Sequence, residues 1–390
     1  MNGSPEEPLT EASFRATAAS RLGAPPPPPA PPPPPPSPPN AAHAPHPSSA
    51  PPQDGATSAL PVQATRERES GPPSRHADFS ASLRQRARSA VPRWGWRGRV
   101  HRWTKGRLSP RVSSAERDWN TALRAVQMTF GGPRSIVFVN PKGGTFTTTA
   151  TLLAGRTFGV HRGGGVVAFD NNETRGTLGE RAVRAGHANT ARELLSAIDL
   201  FRGPTARLGD LGRFTRGQGP AHFDVLASDE RPEATGQLGA EAFDQLHELF
   251  RRYYRLILID SGNNVRAPAW LAAARQADLL VITTTVREDA ASSALWMADV
   301  LERDVLGPGA LKQRSVALVC DPAPRPDTVL RRLLLDTFGA RCHTAMSMPF
   351  EPALVGGGAI DYPRLSSATH AAWLHACAAM ASALSPGWEG

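Results

Sequence analysis

The residues best suited to chemistry fall in "VNPKGGTFTTTATLLAG", residues 139–155. Lys142 supplies a cation. Gly143 and Gly144 let the backbone approach a ligand closely. Thr145, Phe146, Thr147, Thr148 and Thr149 complete the turn and carry a run of hydroxyls. The apolar "SIVFV" precedes the stretch and "TTTATLLAGRTF" follows it, so it reads as a strand running into a helix. An oxyanion at such a junction meets free backbone N–H groups and the positive end of the helix dipole, which suits a phosphate. The Thr148 hydroxyl is placed to reach Mg²⁺ beside that phosphate, the role of the last residue in G-x-x-x-x-G-K-[ST]. Against that general pattern Pro141 and Phe146 stand where both glycines belong, and Thr147 stands where the lysine belongs. A Gly/Thr-rich turn with no ligand is the competing reading.

The elements around this stretch settle what would hold it. Short apolar runs recur along the chain: "RSIVFVN", "GGVVAFD", "FDVLASD", "RLILIDSG", "ADLLVITTTV", "RSVALVCD" and "AMSMPF". Between them lie helical patterns, including "GAEAFDQLHELFRRYY" and "DAASSALWMADVLERD". Unbroken Val/Ile/Leu strands alternating with helices predict an α/β fold, a mostly parallel sheet with helices on both faces. "SSAERDWNTALRAVQMTF" opens this domain with a Ser/Glu capping pattern, and "THAAWLHACAAMASAL" reads as a packing helix near its end. In such sheets ligands bind at the carboxyl ends of the strands, which is where residues 139–155 fall.

Composition divides the 390 residues into three parts. Residues 1–80, with "APPPPPAPPPPPPSPP", are low in complexity, predict a disordered arm of polyproline II character, and could dock on an aromatic groove of a protein partner. Residues 81–111 form a basic Arg/Trp linker. Its ten cations, Arg84 to Arg111, with no acid among them, account for the whole net charge of +9. Trp94, Trp96 and Trp103 are interleaved, which suits nucleic-acid phosphates such as DNA, an anionic membrane surface or an acidic partner. Residues 112–390 form the α/β domain. Lysines are scarce: Lys105, Lys142 and Lys312. Three cysteines without a C-x-x-C pair argue against a disulfide scaffold or zinc site and suit a cytoplasmic protein. No signal peptide is expected at the N-terminus, and no apolar run is long enough to span a bilayer.

The stretch resembles the deviant Walker A loop, K-G-G-x-G-K-T-T, of the ParA/MinD family of P-loop ATPases. Lys142, Gly143, Gly144, Thr148 and Thr149 match it. "VVAFDNNETRGTLG" looks like that family's first switch, "LILIDSGNN" its Walker B strand, and "MPFEPALVGGG" its loop beside adenine. The resemblance covers about residues 130–385. It implies an ATP and Mg²⁺ site, with Asp170 and Asp260 near the metal and Pro349, Phe350 and Glu351 near the base. It makes Lys142 the lysine that reaches across a homodimer, or a heterodimer with a paralogue. The arms resemble those of MinD-like ATPases of high-GC bacteria, including type VII secretion-associated ones. Two departures bear on turnover. Thr147 removes the cation that offsets β/γ-phosphate charge, and Asn172 stands for the second switch aspartate. Arg156, Arg162 and Arg175 are the nearby cations, and the sequence places none of them at the phosphates. The expected function is ATP-dependent dimerisation and positioning of a cargo, with weak hydrolysis. The alternatives are a pseudo-ATPase scaffold and a nucleic-acid-binding protein acting through the basic segment.

Overall fold

The computed structural model describes residue 92 and residues 94–105, 107–108, 110–172, 176–228 and 239–385. The chain divides into Met1–Pro72 and Pro73–Gly390. The proline-rich arm expected over 1–80 lies outside the described residues.

Eight strands form one sheet: β1 (Arg134–Val139), β2 (Val166–Asn171), β3 (Arg216–Gly217), β4 (Asp224–Leu226), β5 (Leu256–Ser261), β6 (Leu279–Thr285), β7 (Ser315–Cys320) and β8 (Thr344–Met348). Their order is β3-β4-β2-β5-β1-β6-β7-β8. β3 runs antiparallel to β4, and the other pairs are parallel. The expected strands are all present. β3, two residues at an edge, is additional, and too short to leave a pattern in the sequence.

The strands are apolar throughout because both faces are covered. Alternate residues of each strand point to opposite sides. Val137, Phe169, Ile257, Ile259 and Ile282 enter one core, packed against helices Ala240–Tyr253, Pro268–Gln276 and Glu288–Val300 through Phe243, Trp270 and Met297. Ile136, Phe138, Leu258 and Val281 enter the other, packed against Ser114–Val126, Thr147–Arg162 and Ser367–Ala383 through Val126, Leu153, Phe158, Trp373 and Met380. Each such fully buried side chain contributes roughly 1.5–3 kcal/mol. The C-terminal helix is therefore a packing helix.

Helix Thr147–Arg162 sits unusually close to its neighbours. A Cβ at Gly155 would lie 2.7 Å from the Phe223 ring, and one at Gly159 would lie 2.3 Å from the Ala221 carbonyl oxygen. This fit fixes the helix against the turn before β4 and so fixes where its N-terminus points.

The Arg/Trp segment holds a helix, Gly95–Trp103. Trp94 packs edge-on against Trp119 with ring centroids 5.4 Å apart. Arg97 donates to the Arg111 carbonyl, while Trp96 and Trp103 remain exposed. No helix among the described residues is long and apolar enough to cross a membrane.

Candidate functional site

The loop between β1 and helix Thr147–Arg162 is built by short local bonds. Asn140 donates through Nδ2 to the Thr283 carbonyl of neighbouring β6 and accepts from the Lys142 N–H at 2.7 Å. Thr145 Oγ1 donates to the Lys142 carbonyl at 2.8 Å. Gly144 has φ +76°, in the left-handed region that glycine tolerates. Phe146 has φ +78° and is the N-cap, with no side-chain cap on the helix. A bulky residue is strained there. It is held by packing its ring against the core beneath. The result is a 16-residue helix whose N-terminus carries no side-chain cap and opens into a cleft.

That cleft has a volume of about 600 Å³ and lies at the carboxyl ends of β1 and β5. The whole loop from Lys142 to Thr149 lines it, together with Asn172, Asp260 and the Leu354–Gly357 turn. These are residues the sequence placed together. Pro349, Phe350 and Glu351 do not line it. Glu351 accepts from the Ala353 and Ser366 N–H groups and the Thr369 hydroxyl. Burial alone would raise its pKa, but those hydrogen bonds outweigh it and hold the carboxyl at about 2. Expected beside a base, Glu351 instead staples the loop after β8 to the start of the C-terminal helix. The loop still reaches the cleft, through residues three to six positions further on.

Asp170 and Asp260 are register partners on β2 and β5. They differ in what they do. Asp170 accepts from Ser228 Oγ at 3.0 Å, from the Leu178 N–H at 3.3 Å and from the Asn172 N–H at 3.2 Å. A Cβ at Gly176 would sit 1.8 Å from Asp170 Oδ2, so only glycine fits there. Asp170 thus organises the chain on either side of residues 173–175, and does not itself line the cleft. Asp260 does line it. It is 4% exposed, and its Oδ1 has no hydrogen-bond partner. Burial, and next the charge of Asp170, push its pKa well above the ordinary carboxylate range, against the Thr148 hydroxyl hydrogen bond and the Arg181 charge.

A buried carboxylate oxygen without a partner, beside a hydroxyl and an uncapped helix end, is a hard-oxygen donor set. It fits Mg²⁺, which takes one or two protein ligands and completes its shell with water and phosphate oxygens. No cluster of three His, Cys, Asp or Glu able to hold a metal occurs among the described residues.

The three polar residues most in question, Thr147, Lys142 and Arg181, are all placed. Thr147 Oγ1 lies 3.1 Å from Thr283 Oγ1, bonded to the β6 strand. Lys142 Nζ makes an ion pair of 2.6 Å with Asp289, at the start of helix Glu288–Val300. Arg181 was not anticipated. It lines the cleft and donates through Nη1 to Thr149 Oγ1. Its only signal in the sequence was its place two residues beyond "RGTLG". Arg156 and Arg162 lie away from the cleft, Arg156 against His370 and the Tyr362 ring, Arg162 on the Val126 and Met128 carbonyls. Arg175 lies outside the described residues.

The sheet is mostly parallel, and a loop of phosphate-binding type leads from β1 into a helix at its carboxyl edge. No family model matches the chain. No curated protein matches it. Among solved structures, the chain is similar to a ParA family ATPase from Chlorobium tepidum, at 16% identity over 63% of this chain and 98% of that one, with a TM-score of 0.46. It is similar to the cell division ATPase MinD of Pyrococcus furiosus, at 17% identity over 63% and 98%, with a TM-score of 0.47. It is also similar to the septum site-determining protein MinD of Pyrococcus horikoshii complexed with Mg-ADP, at 18% identity over 63% and 94%, with a TM-score of 0.45.

Proposed function

We propose that the cleft binds ATP with Mg²⁺, that binding drives dimerisation, and that the dimer positions a cargo, such as a secretion complex or DNA, with slow hydrolysis. The observation that carries this reading is Asp260. A carboxylate buried to 4% exposure with one oxygen unpartnered is costly, and it stands where a cation would relieve it. The N–H groups of the first helical turn would hold phosphate, and Thr148 and Asp260 the metal. When bound, Mg²⁺ neutralises charge on the phosphate oxygens. Asn172 lines the cleft where the resemblance calls for an acid, and an amide cannot take a proton from water. That supports binding over turnover.

Thr147 favours a second reading, a scaffold of the same fold that turns over no nucleotide. Its hydroxyl is bonded to Thr283 and brings no charge to the cleft. Calorimetry with ATP and Mg²⁺ separates the two readings. Micromolar affinity in the wild type supports the first. No binding in the wild type, with binding restored by Thr147→Lys, overturns it in favour of the scaffold.

A further inference from the structure

We propose that Arg181 is the cation that neutralises a polyphosphate in this cleft, in place of the lysine whose position Thr147 occupies. The inference rests on the reading that the cleft takes a nucleoside triphosphate, and it identifies which residue makes that possible.

A tri- or diphosphate brings several negative charges to one wall of the cleft. Among the described residues lining it, the cations are Lys142 and Arg181. Lys142 is tied to Asp289, so its charge is already compensated. Arg181 is not. Its Nη1 donates to a neutral hydroxyl, Thr149 Oγ1, and its Nε is buried without a partner. No ion pair joins it to a carboxylate among the described residues. A partly buried guanidinium with donors unspent is costly until an anion arrives. Burial accordingly lowers the Arg181 pKa, with the nearby Asp260 and Tyr362 pulling it back.

The side chain is also placed before any ligand binds. Arg181 ends the short helix Leu178–Arg181. The start of that helix is fixed to β2 by the Leu178 N–H on Asp170. Its end is fixed by the Ile360 N–H donating to the Arg181 carbonyl. The backbone is thus pinned from the switch strand on one side and from the loop after β8 on the other. A donor held this way needs little reorganisation when charge enters the site. Its charge, carried on a planar fork, can meet one or two phosphate oxygens. The Thr149 contact places the guanidinium beside the first turn of the phosphate-loop helix, whose N–H groups face the same ligand.

The test compares wild type, Arg181→Gln, Arg181→Lys, and Arg181→Gln combined with Thr147→Lys. Affinities for ATP, tripolyphosphate and adenosine are measured with Mg²⁺, and ligand-free melting is followed to check folding. The expected result for Arg181→Gln is a loss of at least about tenfold for ATP and tripolyphosphate, with adenosine changed less than about twofold. Arg181→Lys retains most of the affinity, and Thr147→Lys restores it in the double variant. Equal weakening of ATP and adenosine would overturn the proposal, because it reports a structural role. So would unchanged ATP affinity in Arg181→Gln, and in that case the nucleotide reading stands without Arg181. Absence of ATP binding by the wild type removes both. If Arg181→Gln fails to fold, the Arg181→Lys variant decides: ATP affinity lost while its melting stays at the wild-type value overturns the charge role.

Discussion

Asp260 and Glu351 are both buried acids near one site, and their surroundings send them in opposite directions. The Asp260 pKa is raised by burial and by Asp170, so the folded form binds that proton more tightly than the unfolded form does. Stability linked to it is present below the unfolded value of about 4 and is lost as pH rises through the folded value. Asp260→Asn should therefore stabilise the ligand-free protein by about 1–2 kcal/mol, more at pH 8 than at pH 5, while abolishing Mg²⁺-dependent nucleotide affinity. Chemical denaturation at the two pH values, with calorimetry beside it, reads both effects. A variant less stable than wild type at pH 8 would show that Asp260 is satisfied without a ligand. Glu351 runs the other way. Burial would raise its pKa, but the hydrogen bonds from Thr369, Ser366 and Ala353 bring it to about 2. Its contribution is present above about 4.5 and is lost as pH falls towards 2. Glu351→Gln should cost about 2 kcal/mol at pH 7 and flatten the acid limb of the melting profile. An unchanged acid limb would mean that these hydrogen bonds do not favour the charged form.

At the scale of elements, the loop after β1 and the turn after β2 are fixed by single residues that sequence patterns weigh lightly. The phosphate-type loop was legible because glycines, hydroxyls and flanking periodicity are local. So was the sheet, because strands buried on both faces must be apolar throughout. Arg181 was not legible, because its place depends on a bond from the Leu178 N–H to the Asp170 side chain and on Ile360, far along the chain, which donates to its carbonyl. Nor was the division of labour between Asp170 and Asp260, which follows from Ser228 reaching across from beyond β4. Gly176 makes the point in a testable way. Its N–H donates to Ser228 Oγ at 3.0 Å, and any Cβ there collides with the Asp170 carboxylate. Gly176→Ala should cost about 2–4 kcal/mol and weaken nucleotide binding, since the displaced segment carries Thr177 and Arg181 with it. The same substitution at Gly186, where a Cβ meets nothing within 4 Å, is the control and should change stability by less than about 0.5 kcal/mol.

For the whole molecule the question is what a second copy would meet. The resemblance gives Lys142 the task of reaching a partner's phosphates, yet here its ammonium is engaged within its own chain. The ion pair with Asp289 is short at 2.6 Å, but both side chains are 42% exposed. Lys142 with Arg287 also lowers the Asp289 pKa, so Asp289 stays charged across the neutral range. Exposed pairs of this kind contribute little to stability and are weakened by salt. In the dimer proposed above, the pair would act as a weak latch. In that dimer a partner's phosphate, carrying more charge than one carboxylate, would compete for Lys142 with an advantage that grows once water is excluded between two copies. Asp289→Ala should leave the melting temperature unchanged within about 1 °C and raise the dimer fraction at a given ATP concentration. Lys142→Ala should abolish nucleotide-dependent dimerisation while leaving monomer binding of ATP within a few-fold of wild type. Sedimentation velocity with and without ATP-Mg²⁺ measures both. Salt adds an internal check, because moderate ionic strength should weaken the latch in wild type and bring it closer to Asp289→Ala. If Asp289→Ala dimerises no more readily than wild type at low salt, the contact is a passive surface pair and Lys142 is not held back by it.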